Sequence, residues 1–230
     1  MIYFNDIFQR AFNLFDDPDI SQKYYCDRAG FQRDMLGFLM VAKNKFTSPT
    51  AITDKLIIQD QPSGYLEIIE GDNTDTYVLE STPHEHAALT FRIGKECVPG
   101  YYNSENNSVT FPRPVLVNET CSVTWYYAGA FSADFSSCLR SDFPMDVIMD
   151  KVVTILAYGL LSAWGDKEVG RVLDVRNILT DTDFKMYSPA NSANAKVAWR
   201  DQMNKNMDTL VSELNWRILS EPKGGTRFGK

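Results

Sequence analysis

The two histidines of the chain stand in Pro83-His84-Glu85-His86, and in an extended stretch residues two apart point to the same side, which is how a metal site can begin. Zinc needs three or four ligands from His, Cys or carboxylate. No second cluster offers the remainder at a recognisable spacing, so the stretch reads as a polar turn beside a strand, with a metal-dependent hydrolase using His84, Glu85 and His86 as the alternative it leaves open. Asp72-Asn73-Thr74-Asp75-Thr76 and Asp181-Thr182-Asp183 have the look of calcium ligands, yet neither has the glycine and closing glutamate of an EF-hand loop. Both read as turns in which Asp and Asn side chains bond nearby backbone.

Covalent and phosphate chemistry have equally little to stand on. Ser162 lies in GLLSAWG, inside an apolar helical run and off any strand-to-helix elbow, so its hydroxyl is expected to bond a carbonyl one turn back. Cys26, Cys97, Cys121 and Cys138 are widely spaced and read as small apolar residues, which predicts no disulfide framework. GGTRFGK matches neither the dinucleotide nor the Walker pattern. Carboxylate pairs such as Asp16–Asp17 and Glu67–Glu70 are no more than 30 acids produce by chance, and they lack the apolar flanks that raise a pKa. The expectation is a protein that is not an enzyme and has no cofactor.

Aromatic residues, 13% of the chain, are the remaining excess. Tyr101-Tyr102 and Trp125-Tyr126-Tyr127 concentrate them, and alternation along an extended segment sends Trp125 and Tyr127 to one face and Tyr126 to the other. Tyr and Trp bury much area and keep a polar tip, the chemistry of interfaces. These five, with Lys223, Arg227, Phe228 and Lys230 of the last ten residues, are the candidate interaction residues.

The elements that hold them fall into three parts. Residues 1–50 carry 6 basic and 6 acidic side chains, residues 51–137 carry 4 and 12, and residues 138–230 carry 13 and 12. The net charge of −7 is thus central, and an acidic middle repels a phosphate backbone, which argues against specific DNA binding. Phe4, Ile7, Phe8, Ala11, Leu14 and Phe15 follow a helical period. Asp17-Pro18 then predicts a cap and first turn of one long helix of about 28 residues, ended by Ser48-Pro49. The middle consists of about seven short runs rich in β-branched and aromatic residues, including GYLEIIEG, LTFRIGKECV and SVTWYYAG, separated by turn formers.

After Phe135 the helical period returns. Asp142 and Pro144 start a helix whose apolar residues Ile148 to Ala163 surround it and make it central. A helical connector follows, and Ser188-Pro189 opens a last helix with Trp199, Met203, Met207, Leu210, Leu214 and Ile218 on one side. The apolar run 152–164 is shorter than the ~20 residues that cross a bilayer, so no membrane span is expected. MIYFNDIF also lacks a basic stretch before an apolar one, which predicts no leader. The expected class is α+β: a helical bundle from 1–50 plus 138–230, an inserted acidic antiparallel β-sandwich or barrel at 51–137, and a flexible basic tail at 221–230.

FNDIFQRAFNLFDDPDI at residues 4–20, a helix broken by an acidic Pro-containing step into a second helix, resembles the start of head-to-tail connector (neck ring) proteins of tailed bacteriophages, particularly crAss-like phages. The inserted β-domain, long closing helix and short basic tail are similar to that group as well. The resemblance implies a virion protein assembled in the host bacterial cytoplasm into a ring of twelve copies between portal and tail. It implies that genome DNA passes through without specific binding, that the partners are its own copies and neighbouring portal, ring or tail proteins, and that there are no catalytic residues. A monomeric or dimeric module binding a saccharide or other small molecule through its aromatic clusters is the alternative reading.

Overall fold

The computed structural model describes residues 1–14, 24–135, 144–179 and 189–219. The class is α+β, as expected. In chain order the elements are β1 (Ile2–Tyr3), α1 (Phe4–Asn13), α2 (Arg28–Lys45), α3 (Thr50–Thr53), β2 (Ile58–Asp60), β3 (Ser63–Glu70), β4 (Thr74–Val78), β5 (Ala88–Ile93), β6 (Glu96–Val98), β7 (Tyr101–Asn103), β8 (Ser108–Val115), β9 (Thr120–Tyr127), β10 (Ala130–Phe131), α4 (Met145–Leu179) and α5 (Pro189–Leu219).

Two compact units result, and their bounds differ from those the charge and periodicity predict. One comprises Met1–Ile2, Phe38–Ile57 and Ser132–Lys230; the other comprises Tyr3–Gly37 and Ile58–Phe131. Residues 3–37 therefore group with the strands. The reason is a set of specific contacts: the Phe4 amide donates to the Gly129 carbonyl at 3.0 Å, Phe4 packs on Phe131 with ring centroids 4.5 Å apart, and the Ala29 amide donates to Thr90 Oγ1 at 3.0 Å.

In the strand-containing unit, α1 buries the predicted stripe of Phe4, Ile7, Phe8 and Ala11. The expected long helix is interrupted at Asp27. That carboxylate accepts the Gly30 amide at 3.0 Å and so caps a new helix, α2, in the manner of an N-cap bonded to its third residue. The strands form a four-stranded sheet in the order β3-β9-β5-β6 and a three-stranded sheet in the order β4-β8-β7, all antiparallel. Phe91, Ile93, Cys121 and Val123 from the first and Val109, Phe111 and Val115 from the second share one buried cluster, with Phe91 and Phe111 edge to face at 6.0 Å. LTFRIGKECV is a hairpin of β5 and β6 closed at Gly94, whose φ is 57°, a conformation glycine adopts freely. Asp72 bonds the Thr74 amide at 3.0 Å and its hydroxyl at 2.6 Å, the local turn its sequence predicts.

In the other unit, α4 is one helix of 35 residues, absorbing both the predicted core helix and much of the connector. Its stretch Met145–Gly170 has a mean hydropathy of 1.5 and is long and apolar enough to cross a membrane by length and composition. The helical stretch is longer than the apolar run 152–164. Ile148, Val152, Ile155, Leu156 and Leu160 are nonetheless buried, the situation of a core helix packed by protein. Gly159 makes the packing close: a Cβ there would lie 2.9 Å from that of Ala42 and 3.2 Å from Met207 Sδ. Met203, Met207 and Leu214 of α5 are buried as its spacing predicts. Trp164 and Trp199 meet edge to face at 5.7 Å. Ser162 does not bond back along its own helix. It donates to Asn204 Oδ1 at 2.6 Å and accepts from Lys45 Nζ at 3.3 Å.

Candidate functional site

Strand β3 is one edge of the four-stranded sheet. Its register with β9, Gly64 opposite Tyr126 and Leu66 opposite Thr124, sets Leu66 and Ile68 on the sheet's outer face, away from the shared core. Leu66 is 54% exposed and Ile68 68% exposed. On the core-facing side, Tyr65 lies beside Trp125 with ring centroids 6.5 Å apart. Glu67 turns inward and accepts the Glu80 amide at 2.9 Å.

Beside the first half of β3 runs a groove of about 510 Å³, lined by Asp27, Arg33, Tyr65, Arg92, Trp125 and Tyr126 among others. Gly64 keeps it open, since a Cβ at that position would come within 3.0 Å of Tyr126 and 3.1 Å of the Trp125 carbonyl. The start of α2 forms one wall, pinned by the Asp27 cap. Arg92 Nη2 pairs with Asp27 Oδ2 at 3.2 Å, and Thr90 Oγ1 donates to Asp27 Oδ1 at 3.3 Å. One carboxylate thus ties helix to sheet. Arg92 Nε is buried without a partner, and Arg33, exposed on the same wall, makes no ion pair or hydrogen bond among the described residues. Burial raises the Tyr126 hydroxyl's pKa and the Arg33 charge opposes the rise. Trp125 is oriented by its indole N–H, which donates to Ser81 Oγ at 3.3 Å. The arrangement offers the Tyr126 ring and Leu66 on the sheet's outer face, one guanidinium and one carboxylate already engaged. It can stack on and hydrogen-bond a polar or extended occupant.

Of the predicted interaction residues, Tyr126 lines this groove with its ring, whereas Trp125 borders it through its backbone carbonyl and turns its ring to the other face beside Tyr65. Tyr127 does not line it: it is buried, stacked on His84 at 3.7 Å, and donates to Asp60 Oδ2 at 2.9 Å; burial, with that bond, holds its hydroxyl protonated well above the ordinary range. Tyr101 and Tyr102 lie on β7. Tyr101 is 67% exposed, whereas Tyr102 donates to Asn107 Oδ1 at 3.0 Å and packs against the shared core. Lys223, Arg227, Phe228 and Lys230 lie outside the described residues, as does Cys138.

The histidines are packed among aromatic rings. Tyr3 lies on His86 at 3.6 Å, His84 on Tyr127, and His84 Nδ1 accepts the His86 amide at 3.2 Å. Nearby Asp6 is raised by burial and lowered in part by His86. Among the described residues no group of three or more His, Cys, Asp or Glu could hold a metal ion.

Sequence reasoning missed Tyr65, Leu66, Ile68 and the charged wall of Asp27, Arg33 and Arg92. GYLEIIEG held the one usable signal, because its apolar residues fall on both faces where a half-buried strand would alternate. The charged wall had none, since Asp27 and Arg92 are 65 positions apart. The chain matches no protein-family model and no curated protein.

Proposed function

We propose that this protein is a structural subunit of a virion, a ring or adaptor in the head-to-tail connector of a tailed phage that surrounds the DNA channel and links portal to tail without catalysing a reaction. The observation that carries the reading is the placement of its exposed apolar side chains. Tyr65, Leu66, Ile68 and Val78 line β3 and β4, while Tyr101 is exposed on the separate strand β7. Exposed apolar patches on a folded chain mark association surfaces, and a closed ring uses two different patches on each subunit. The likeness of residues 4–20 to neck ring proteins supports the same reading. Native mass measurement and negative-stain microscopy, on the chain alone and mixed with portal and tail proteins, test it: annular particles are expected. A single compact particle under all these conditions ends it.

The groove favours one other reading, a module that binds a saccharide or similar small molecule between Leu66, Tyr126 and Arg33. A melting shift with oligosaccharides that vanishes in Tyr126→Ala supports that reading.

A further inference from the structure

The ring reading leaves open how neighbouring copies would join, and the sheet registers bear on it. In the four-stranded sheet, β3 and β6 are the two edges. Each neighbouring pair is antiparallel, so across three pairings β3 and β6 run in opposite directions. A second copy set edge to edge in the same orientation would therefore continue the sheet as an antiparallel one, the geometry with perpendicular, well-formed ladder bonds.

The levels also agree. Ile68 stands opposite Ser122, Ser122 opposite Arg92, and Arg92 opposite Cys97. By the same steps Glu67 falls level with Val98 and Ile69 with Glu96. Glu70 pairs with Thr120, whose carbonyl accepts the Gly94 amide at 2.7 Å; this sets Lys95, next along the turn, at the level of Glu70. Neither Lys95 nor Glu70 makes an ion pair or side-chain hydrogen bond among the described residues. Opposite charges thus wait at one height on opposite edges. In the second sheet, Tyr101 pairs with Thr110 and Thr110 with Thr76, so exposed Tyr101 is level with the middle of edge strand β4.

We propose that neighbouring copies join by sheet extension, the β6 edge of one copy pairing antiparallel with the β3 edge of the next, with Cys97 opposite Ile68 and Lys95 beside Glu70. This rests on the ring reading and names its subunit contact. The added strand covers Ile68, and the ladder ends where Pro99, which has no N–H to donate, meets Leu66. Because the two edges differ, the contact is heterologous and repeats from copy to copy.

The test uses the full chain. Directly opposed strand residues lie within disulfide reach, so Ile68→Cys treated with diamide should give a ladder of covalent multimers through the native Cys97 of the neighbour. Wild type and the double variant Ile68→Cys/Cys97→Ser should stay uncrosslinked. Glu70→Lys should raise the concentration at half-assembly by about fivefold, the upper range of an exposed pair, and Glu70→Lys/Lys95→Glu should restore it. Rings that form without the Ile68→Cys crosslink, or a crosslink that persists without Cys97, overturn the pairing and leave the ring reading intact. A wild-type chain that never assembles removes the ring reading, and the pairing with it.

Discussion

The helical unit and the strand-containing unit treat their apolar residues in opposite ways. Around α4, Ile148, Val152, Ile155, Leu156, Leu160 and Leu161 are buried on nearly every side, and the few polar groups among them are bonded, as Ser162 is to Asn204 and Lys45. In the other unit a core of comparable quality, built on Phe91, Phe111 and Val123, stops short of the edges, where Leu66, Ile68 and Val78 remain in water. Folding is satisfied in both. Among the described residues only the second carries a row of apolar side chains along an open edge, so the demand for a partner falls chiefly on the strands. Trp216, 74% exposed on α5, is the main exception in the helical unit.

Core deletions should break this comparison hardest. Phe111→Ala should cost the strand-containing unit about 3–5 kcal/mol and Leu156→Ala the helical unit about 2–5 kcal/mol in chemical denaturation, as buried large-to-small changes do. Equal costs on β3 would contradict the distinction between core and edge. Gly159→Val should follow at about 1–3 kcal/mol, because its side chain must displace Ala42 and Met207 in a packed contact. Tryptophan fluorescence reports it, with Trp164 and Trp199 in the same unit.

Asp27→Ala should cost about 0.5–2 kcal/mol for the lost cap, and hydrogen exchange should place the loosening at residues 28–37. A uniform loss over the whole chain would argue against a local cap. Acid sharpens the comparison further. Arg113 grips Glu119 with two bonds of 2.7 and 2.8 Å, and the Leu116 amide adds a third at 3.1 Å; the Arg113 bonds, foremost, pull the Glu119 carboxyl down from 4.5 to about 2. A carboxyl held lower in the folded state stabilises above the unfolded value and loses that contribution as pH falls from about 4.5 towards 2. Glu119→Gln should remove this part of the acid sensitivity, seen in denaturation midpoints across that window. Smallest of all, Ile68→Ser should change stability by no more than about 0.5 kcal/mol, as exposed surface changes do.

The stripes of α1 and α5 were legible because a helix places every third or fourth residue on one side whatever surrounds it. Trp125 and Tyr126 were legible as an aromatic cluster, while Tyr127 beside them, also a candidate interaction residue, is buried. Strand alternation assigns faces, and it says nothing of which face finds a cover; here Tyr127 found His84 and Asp60. The helix break at Asp27 was not legible as one, since the Gly30 amide that selects it makes a local bond reinforced by Arg92 and Thr90 from a distant strand. Pro112 and Pro114 break the run of β-branched and aromatic residues in the sequence, yet Ser108–Val115 form the single strand β8, next to the irregular pairing at Thr74 and Thr76.

By itself the order of residues determined the class, most helices and strands, and the acidic charge of the middle segment, because these depend on side-chain type and spacing over a few positions. Only the tertiary structure decided which strand stays at an edge, that residues 3–37 group with the strands, and that Arg33 and Asp27 share a groove with Tyr126 and Leu66. Those outcomes depend on registers and pairings between residues tens of positions apart, whose free energies are settled by the whole fold and leave no periodic trace along the chain.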